Sequence, residues 1–224
     1  QAAQVTRENT RRNVDIALRL HVLPTIGDRH MGSVRPSDMQ ALVKILSATL
    51  APGTVKSTYV IAGQLFAAAV DDRILAASPC HRVRLPHNDR KEVVVPSVER
   101  ITALASAVPA RYRALVVLLA GSGLRIGEAL GLSVSDVDFL RRTVRVERQR
   151  LRSGNLGPVK TARSARTVPL GQVVIDELAA HLAAWPVEGA LFTDYMDEPL
   201  SYRAWASIWG SANRSTTLDV DTHQ

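Results

Sequence analysis

The sequence predicts a mainly α-helical fold with a small three-stranded antiparallel sheet set into its second half, an α+β arrangement. Three observations predict it. Apolar residues recur at helical spacing through most of the 224 residues. The pattern switches to strand alternation once, in "RTVRVERQRL", where Val144, Val146 and Arg148 fall on one side and Arg145, Glu147 and Gln149 on the other. A polar break, "PHNDRKEVVVPS" at 86–97, carries two prolines and no helical period, and it separates two helical patterns.

The elements follow in order. Residues 6–21 carry Val14, Ala17, Leu18 and Leu20 near helical spacing, ahead of Pro24 and Gly27. "RPSDMQALVKILSATL" opens a second helix, with Ser37 as its expected N-cap. "APGTVKSTYVIAGQLFAAAVDDRIL" gives a third, capped by Thr54, with Val60, Ile61, Leu65, Phe66 and Ala69 on its apolar face. Residues 1–85 therefore read as a small all-helical domain, 86–97 as a linker, and 98–224 as a second domain. In that domain, helices are expected at 98–108, 111–120, "RIGEALGL", 173–185 and 201–212. The turn signal "SGN" and two short segments, "LGPVKTA" and "ARTVPL" around "ARSA", complete the expected sheet.

Composition excludes several classes. The longest apolar run, 114–120, is about a third of the ~20 residues a membrane-spanning helix needs. Cys80 is the only cysteine, which excludes an internal disulfide and fits a reducing cytosol. The formal net charge is +7. Residues 141–166 hold nine basic residues against the single acid Glu147, so the rest of the chain is close to neutral. Apolar residues interleave with these charges, which describes a folded basic surface suited to nucleic acid. Aromatics make up only 4% of the chain, which disfavours single-stranded RNA, where bases stack on aromatic side chains.

Three residues carry candidate chemistry. Arg125, in "SGLRIGEALGL", offers a permanently charged fork for a phosphate, flanked by glycines at a helix start. Glu128, three residues on, can hold that fork in one rotamer. A surface Arg–Glu pair is the plainer reading of this spacing. Lys160 is one of only four lysines, and it stands in an arginine-rich hairpin. A lysine there fits a proton-donating task, or a simple backbone phosphate contact. His223 is second from the end of the chain, and a histidine there is ordinarily just solvated.

"LLAGSGLRIGEALGLSVSDVDF" resembles the first conserved box of the tyrosine recombinases, the phage-integrase family. "GPVKTARSARTVPL" resembles that family's lysine-bearing hairpin, and "THQ" resembles the opening of its H-x-x-R box. "AAAVDDRILAASP" and the helices before it resemble the family's core-binding domain. The resemblance implies a transesterification on double-stranded DNA. A tyrosine attacks a phosphate, forms a 3′-phosphotyrosine link and releases a 5′-hydroxyl, with no cofactor and no metal. It implies Arg125 as the first phosphate-binding arginine, Glu128 as its support, Lys160 as the general acid and His223 as the second-box histidine. DNA contacts are expected from Lys56, Arg145, Arg148, Arg150, Arg163 and Arg166. The resemblance also implies a tetramer on DNA, no membrane, and a phage or prophage protein of the bacterial cytoplasm or nucleoid.

The second-box arginine and the nucleophile have no counterpart among these residues. Tyr59, Tyr112, Tyr195 and Tyr202 all precede the second box. The expectation is a piece of a longer recombinase, its catalytic domain lacking the C-terminal part, that binds DNA without cleaving it. A non-catalytic DNA-binding regulator or competitor on the same scaffold shares every feature visible here.

Overall fold

The computed structural model describes residues 2–87, 95–159 and 164–221, with side chains described from residue 10 to residue 214 within those ranges. The chain divides into two compact units, Ala3–Val93 and Val94–Gln224. Among the described residues no helix is long and apolar enough to cross a membrane.

The first unit is all helical. Helix α1, Ala2–Ala17, does not stop before Pro24 as its sequence implies. It runs through a π turn, Leu18–Val22, into the short α2, Leu23–Ile26. Pro24 occupies the first turn of α2, where a missing N–H costs least. Helix α3, Pro36–Ser47, begins one residue ahead of the expected cap, and Ser37 lies inside it. Pro36 presets the first helical φ, and the Asp38 carboxylate accepts from the Arg35 N–H at 2.8 Å. Helix α4, Pro52–Asp71, likewise starts at a proline, so Ala51 is its N-cap and Thr54 lies in its first turn.

The buried face of α4 is Val55, Thr58, Ala62, Phe66 and Ala69, whereas Val60 and Leu65 are exposed. Small residues at 62 and 69 let the helix sit close, and the bulkier aliphatics are left outside. Val22, Ile26, Met39, Leu42, Val43, Leu46 and Phe66 complete the core of this unit. The Gln40 side-chain amide clasps the later chain, accepting from the Arg84 N–H at 2.8 Å and donating to its carbonyl at 3.1 Å.

The second unit packs helices around a small sheet. Helices α5, Val98–Ala107, and α6, Ala110–Ser122, precede the five-residue α7, Ile126–Leu130. Strand β1, Val137–Asp138, pairs with β2, Thr143–Val146, which pairs with β5, Arg166–Pro169, all antiparallel. Strands β3, Arg148–Arg150, and β4, Leu156–Pro158, form a separate antiparallel pair. The sheet thus differs from its expectation. "RTVRVERQRL" is interrupted at Glu147, and the third strand of the sheet is β1. Val144 and Val146 enter the apolar core. Arg148, next on the same side, reaches a buried carboxylate instead, and the ladder changes partner there. Helix α8 is Gln172–Ala184, and α9 is Tyr202–Asp221, nine residues past the expected end at 212. Trp205 and Trp209 of α9 stack at 5.6 Å.

Glycines set the close approaches. A Cβ on Gly131 would lie 2.9 Å from the Gln149 Cα, and one on Gly127 would lie 3.1 Å from the Arg150 carbonyl oxygen. Backbone of α7 therefore rests directly on backbone of β3. Gly123, at φ +65°, ends α6 in the left-handed conformation that favours glycine.

His181 of α8 is buried between Trp185 and Phe192. Its Nε2 lies 3.2 Å from the Leu191 carbonyl, and its Nδ1 has no partner among the described residues. Burial pushes its pKa down, outweighing the hydrogen bond to Leu191. The folded state holds this ring neutral, so the unfolded state binds the extra proton as the pH falls below about 6.5. Stability is expected to decline from that pH downward, until the folded ring itself protonates. Urea melts of the wild type and of His181→Leu between pH 7.5 and 5.5 check this: the variant should lack this part of the decline.

Candidate active site

The approach to Arg125 is fixed locally. Ser122 donates its hydroxyl to the Leu118 carbonyl at 2.5 Å and accepts from the Leu124 N–H at 3.3 Å. The left-handed Gly123 then turns the chain, and Arg125 is the extended N-cap of α7, at φ −69° and ψ 146°. Glu128 lies one turn on, its side chain 3% exposed against 68% for Arg125. This is more than a surface pair. The Glu128 carboxylate accepts from the Arg125 Nη1 at 2.9 Å and from the Arg125 backbone N–H at 3.1 Å. It also accepts from Arg166 of β5, from Nη2 at 3.0 Å and Nη1 at 3.4 Å. Burial alone raises the Glu128 pKa, but the hydrogen bonds from Arg166 and Arg125 outweigh it and hold the carboxyl below its usual range. The carboxylate is thus charged at neutral pH, and Arg125 keeps an exposed guanidinium for an anion.

The remaining arginines sort by their acceptors. Arg148 donates from Nε to the Gly131 carbonyl at 3.0 Å, and from Nη2 to the Ser133 hydroxyl at 2.7 Å and the Asp136 carboxylate at 2.5 Å. Arg150 donates to the Leu130 carbonyl at 3.1 Å and the Gly154 carbonyl at 2.8 Å. Both were expected at DNA. Their guanidiniums are instead committed to internal acceptors, because strand alternation turns them toward α7 and the turn after it. Arg145, on the other side of β2, is 57% exposed and only loosely near Asp136 and Glu147, at 3.9 and 3.7 Å. Lys56 is exposed on α4. Lys160, Arg163 and His223 lie outside the described residues.

Two charged residues of this region escaped the sequence reading. Asp136 is buried, accepting from the Ser133 N–H at 2.8 Å as well as from Arg148. The S-x-x-D spacing of Ser133 and Asp136 is a capping signal that pointed to it. Arg111 of α6 is buried too, donating to the Thr193 carbonyl at 3.2 Å and hydroxyl at 2.6 Å and pairing with Asp197. No local pattern announces a partner 82 residues away. Of the four tyrosines, Tyr112 is buried and Tyr59 half-buried. Tyr202 packs against α7 at Gly127, with the Arg152 guanidinium 5.2 Å above its ring. Tyr195 is exposed, edge-on to Tyr112 at 5.9 Å. Among the described residues no cluster of three or more His, Cys, Asp or Glu converges as a metal site.

Comparison with known proteins agrees with this architecture. The integrase of Mycobacterium phage L5 is 28% identical over 169 residues, covering 72% of this chain and 44% of its own length. The tyrosine recombinase XerC of Mycobacterium bovis is 33% identical over 158 residues, 64% of this chain and 48% of its own. The chain thus spans about half the length of the curated relatives it matches. Among solved structures, the Tn1549 transposon integrase in complex with a circular intermediate DNA covers 100% of this chain and 78% of its own, with a TM-score of 0.82 at 18% identity. A lambda integrase dimer bound to a COC′ core site covers 93% of this chain and 58% of its own, with a TM-score of 0.73 at 14% identity. At such identities these likenesses speak for the fold. The model of the phage integrase family matches residues 94–224, more than half of the sequence, and the chain belongs to that family of tyrosine recombinases.

Proposed function

We propose that this chain provides the DNA-binding and phosphate-activating core of a site-specific recombinase that integrates or excises DNA through a 3′-phosphotyrosine intermediate. The observation that carries this reading is the exposed Arg125 fork, anchored on the buried Glu128 beside Arg166. Such a fork supplies fixed positive charge where a phosphoryl oxygen gains negative charge. In this reading Lys160 protonates the departing 5′-oxygen, and His223 adds a second donor to the phosphate. The helical unit, through Lys56, and the second unit, through Arg145 and Arg163, supply contacts to the duplex backbone. The relatives include phage integrases, and one structural neighbour is a lambda integrase tetramer bound to a Holliday junction. By that likeness this protein works as a tetramer on DNA in a bacterial cytoplasm, encoded by a phage or prophage.

The finer part of the proposal is that the 224-residue chain alone binds DNA without becoming covalently attached to it. Tyr59, Tyr112 and Tyr202 are engaged in packing, and Tyr195 stands against Tyr112. The test uses a duplex that the protein itself selects from a randomised pool, nicked so that the cleaved strand end diffuses away. The full-length gene product should leave a detergent-resistant protein–DNA adduct, and the 224-residue chain a salt-sensitive complex only. An adduct from neither protein favours a regulator on the same scaffold. One from the chain alone makes Tyr195 or Tyr202 the nucleophile.

A further inference from the structure

Arg166 was expected to contact DNA, yet it spends its fork on Glu128. We propose that Arg166 is a positioning residue for Arg125: acting through the buried Glu128 carboxylate, it fixes the Arg125 guanidinium and restores the positive charge that Glu128 would otherwise cancel. The inference rests on the reading of Arg125 as the phosphate-binding arginine.

The geometry supports both halves. Arg166 grips Glu128 with two nitrogens, Nη2 on Oε2 at 3.0 Å and Nη1 on Oε1 at 3.4 Å. A two-point grip sets the plane of the carboxylate, where one contact would leave it free to turn. Arg125 uses the same two oxygens, its Nη1 on Oε1 and its backbone N–H on Oε2. The orientation of Arg125 is therefore inherited from Glu128, and that of Glu128 from Arg166. Arg166 can hold it because its own base is rigid. Its backbone pairs with Val146, whose side chain is fully buried, and its Nη1 also donates to the Ser164 carbonyl at 3.0 Å. The Arg125 side chain has no such packing, being two-thirds exposed at the N-cap of α7.

Charge makes the second half. An Arg125–Glu128 pair alone is neutral and would attract a phosphate weakly. With Arg166 the cluster carries +1. Glu128 is buried, so solvent screens these interactions less than it would at an open surface.

Two measurements test this. The first needs no cleavage. In the 224-residue chain, the order parameter of the Arg125 Nε–H is read by ¹⁵N relaxation, with the backbone spectrum reporting that the fold persists. Arg166→Gln and Glu128→Gln should each loosen Arg125, and Arg166→Lys should fall between. An Arg125 side chain as ordered in Arg166→Gln as in the wild type overturns the proposal. The second follows strand cleavage by the full-length gene product at saturating DNA. Arg166→Gln should slow cleavage about 100-fold, the scale of a misplaced catalytic group, with the DNA dissociation constant little changed. In a Glu128→Gln background it should cost much less, because only the charge of Arg166 is then left to lose. Additive losses, or a loss confined to affinity, overturn the proposal. A gene product that never cleaves defeats the recombinase reading instead, and the relaxation measurement still decides the role of Arg166.

Discussion

Arg148→Ala is expected to lower the unfolding free energy by about 3 kcal/mol, the lower end for removing one partner of a buried ion pair. The Asp136 side chain is 2% exposed, and its Oδ1 already lacks a hydrogen-bond partner among the described residues. Without Arg148, its charge keeps only the Ser133 N–H as a close donor among the described residues. That remaining donor, and an Arg148 side chain that is 30% exposed, hold the estimate at the low end. Such a loss is a large fraction of the ~5–15 kcal/mol typical of a domain. Urea melts measure it, and Asp136→Asn in the Arg148→Ala background should recover part of the loss by removing the stranded charge. The salt dependence of DNA binding separates this role from a phosphate contact. Arg148→Ala should leave the log–log slope alone, whereas Arg145→Ala should reduce it by about 0.9. A flattened slope with an unchanged melt would make Arg148 a DNA contact after all.

The largest effect on chemistry is expected at Arg125. In the full-length gene product, Arg125→Ala should slow strand cleavage by about 10²–10³, the usual result of removing one donor to a developing oxyanion. Lys160→Ala should also cripple cleavage, for a different reason. Substrates with a 5′-thio leaving group distinguish the two, because sulfur departs without a proton. The lysine variant should be largely rescued and the arginine variant should not. Equal rescue of both would mean that the roles are wrongly assigned.

What the sequence made legible was local. Arg125 and Glu128 sit three apart at a helix start, so their pairing was readable, and the structure adds that Glu128 is buried and shared. The sharing could not be read, because Arg166 lies 38 residues from Glu128 and only the register of β2 with β5 brings it there. Arg148 and Arg150 carried the right charge for DNA. Which way a strand turns them depends on what lies beneath, and beneath them lie the carbonyls of α7 and the carboxylate of Asp136. The expected caps at Ser37 and Thr54 failed for a simpler reason. Pro36 and Pro52 fit the first helical turn, and each draws the helix start ahead of the polar residue. The helices themselves were legible because their apolar periods are long. The strands were less so, since pieces of two to four residues carry too little alternation to reveal their partners.

The contact between α7 and β3 has a consequence for how this protein can diverge. Positions such as Arg145 face solvent and accept many residues. Position 131 has no such freedom: any side chain there meets the backbone of Gln149 and Arg150, which cannot rotate aside. Position 127 is nearly as confined. Descendants of this sequence can therefore vary their exposed side chains while the seat of α7 on β3, and with it the N-cap Arg125, is inherited unchanged. The two glycines act as a fixed gauge, passed on whole or lost together with that contact.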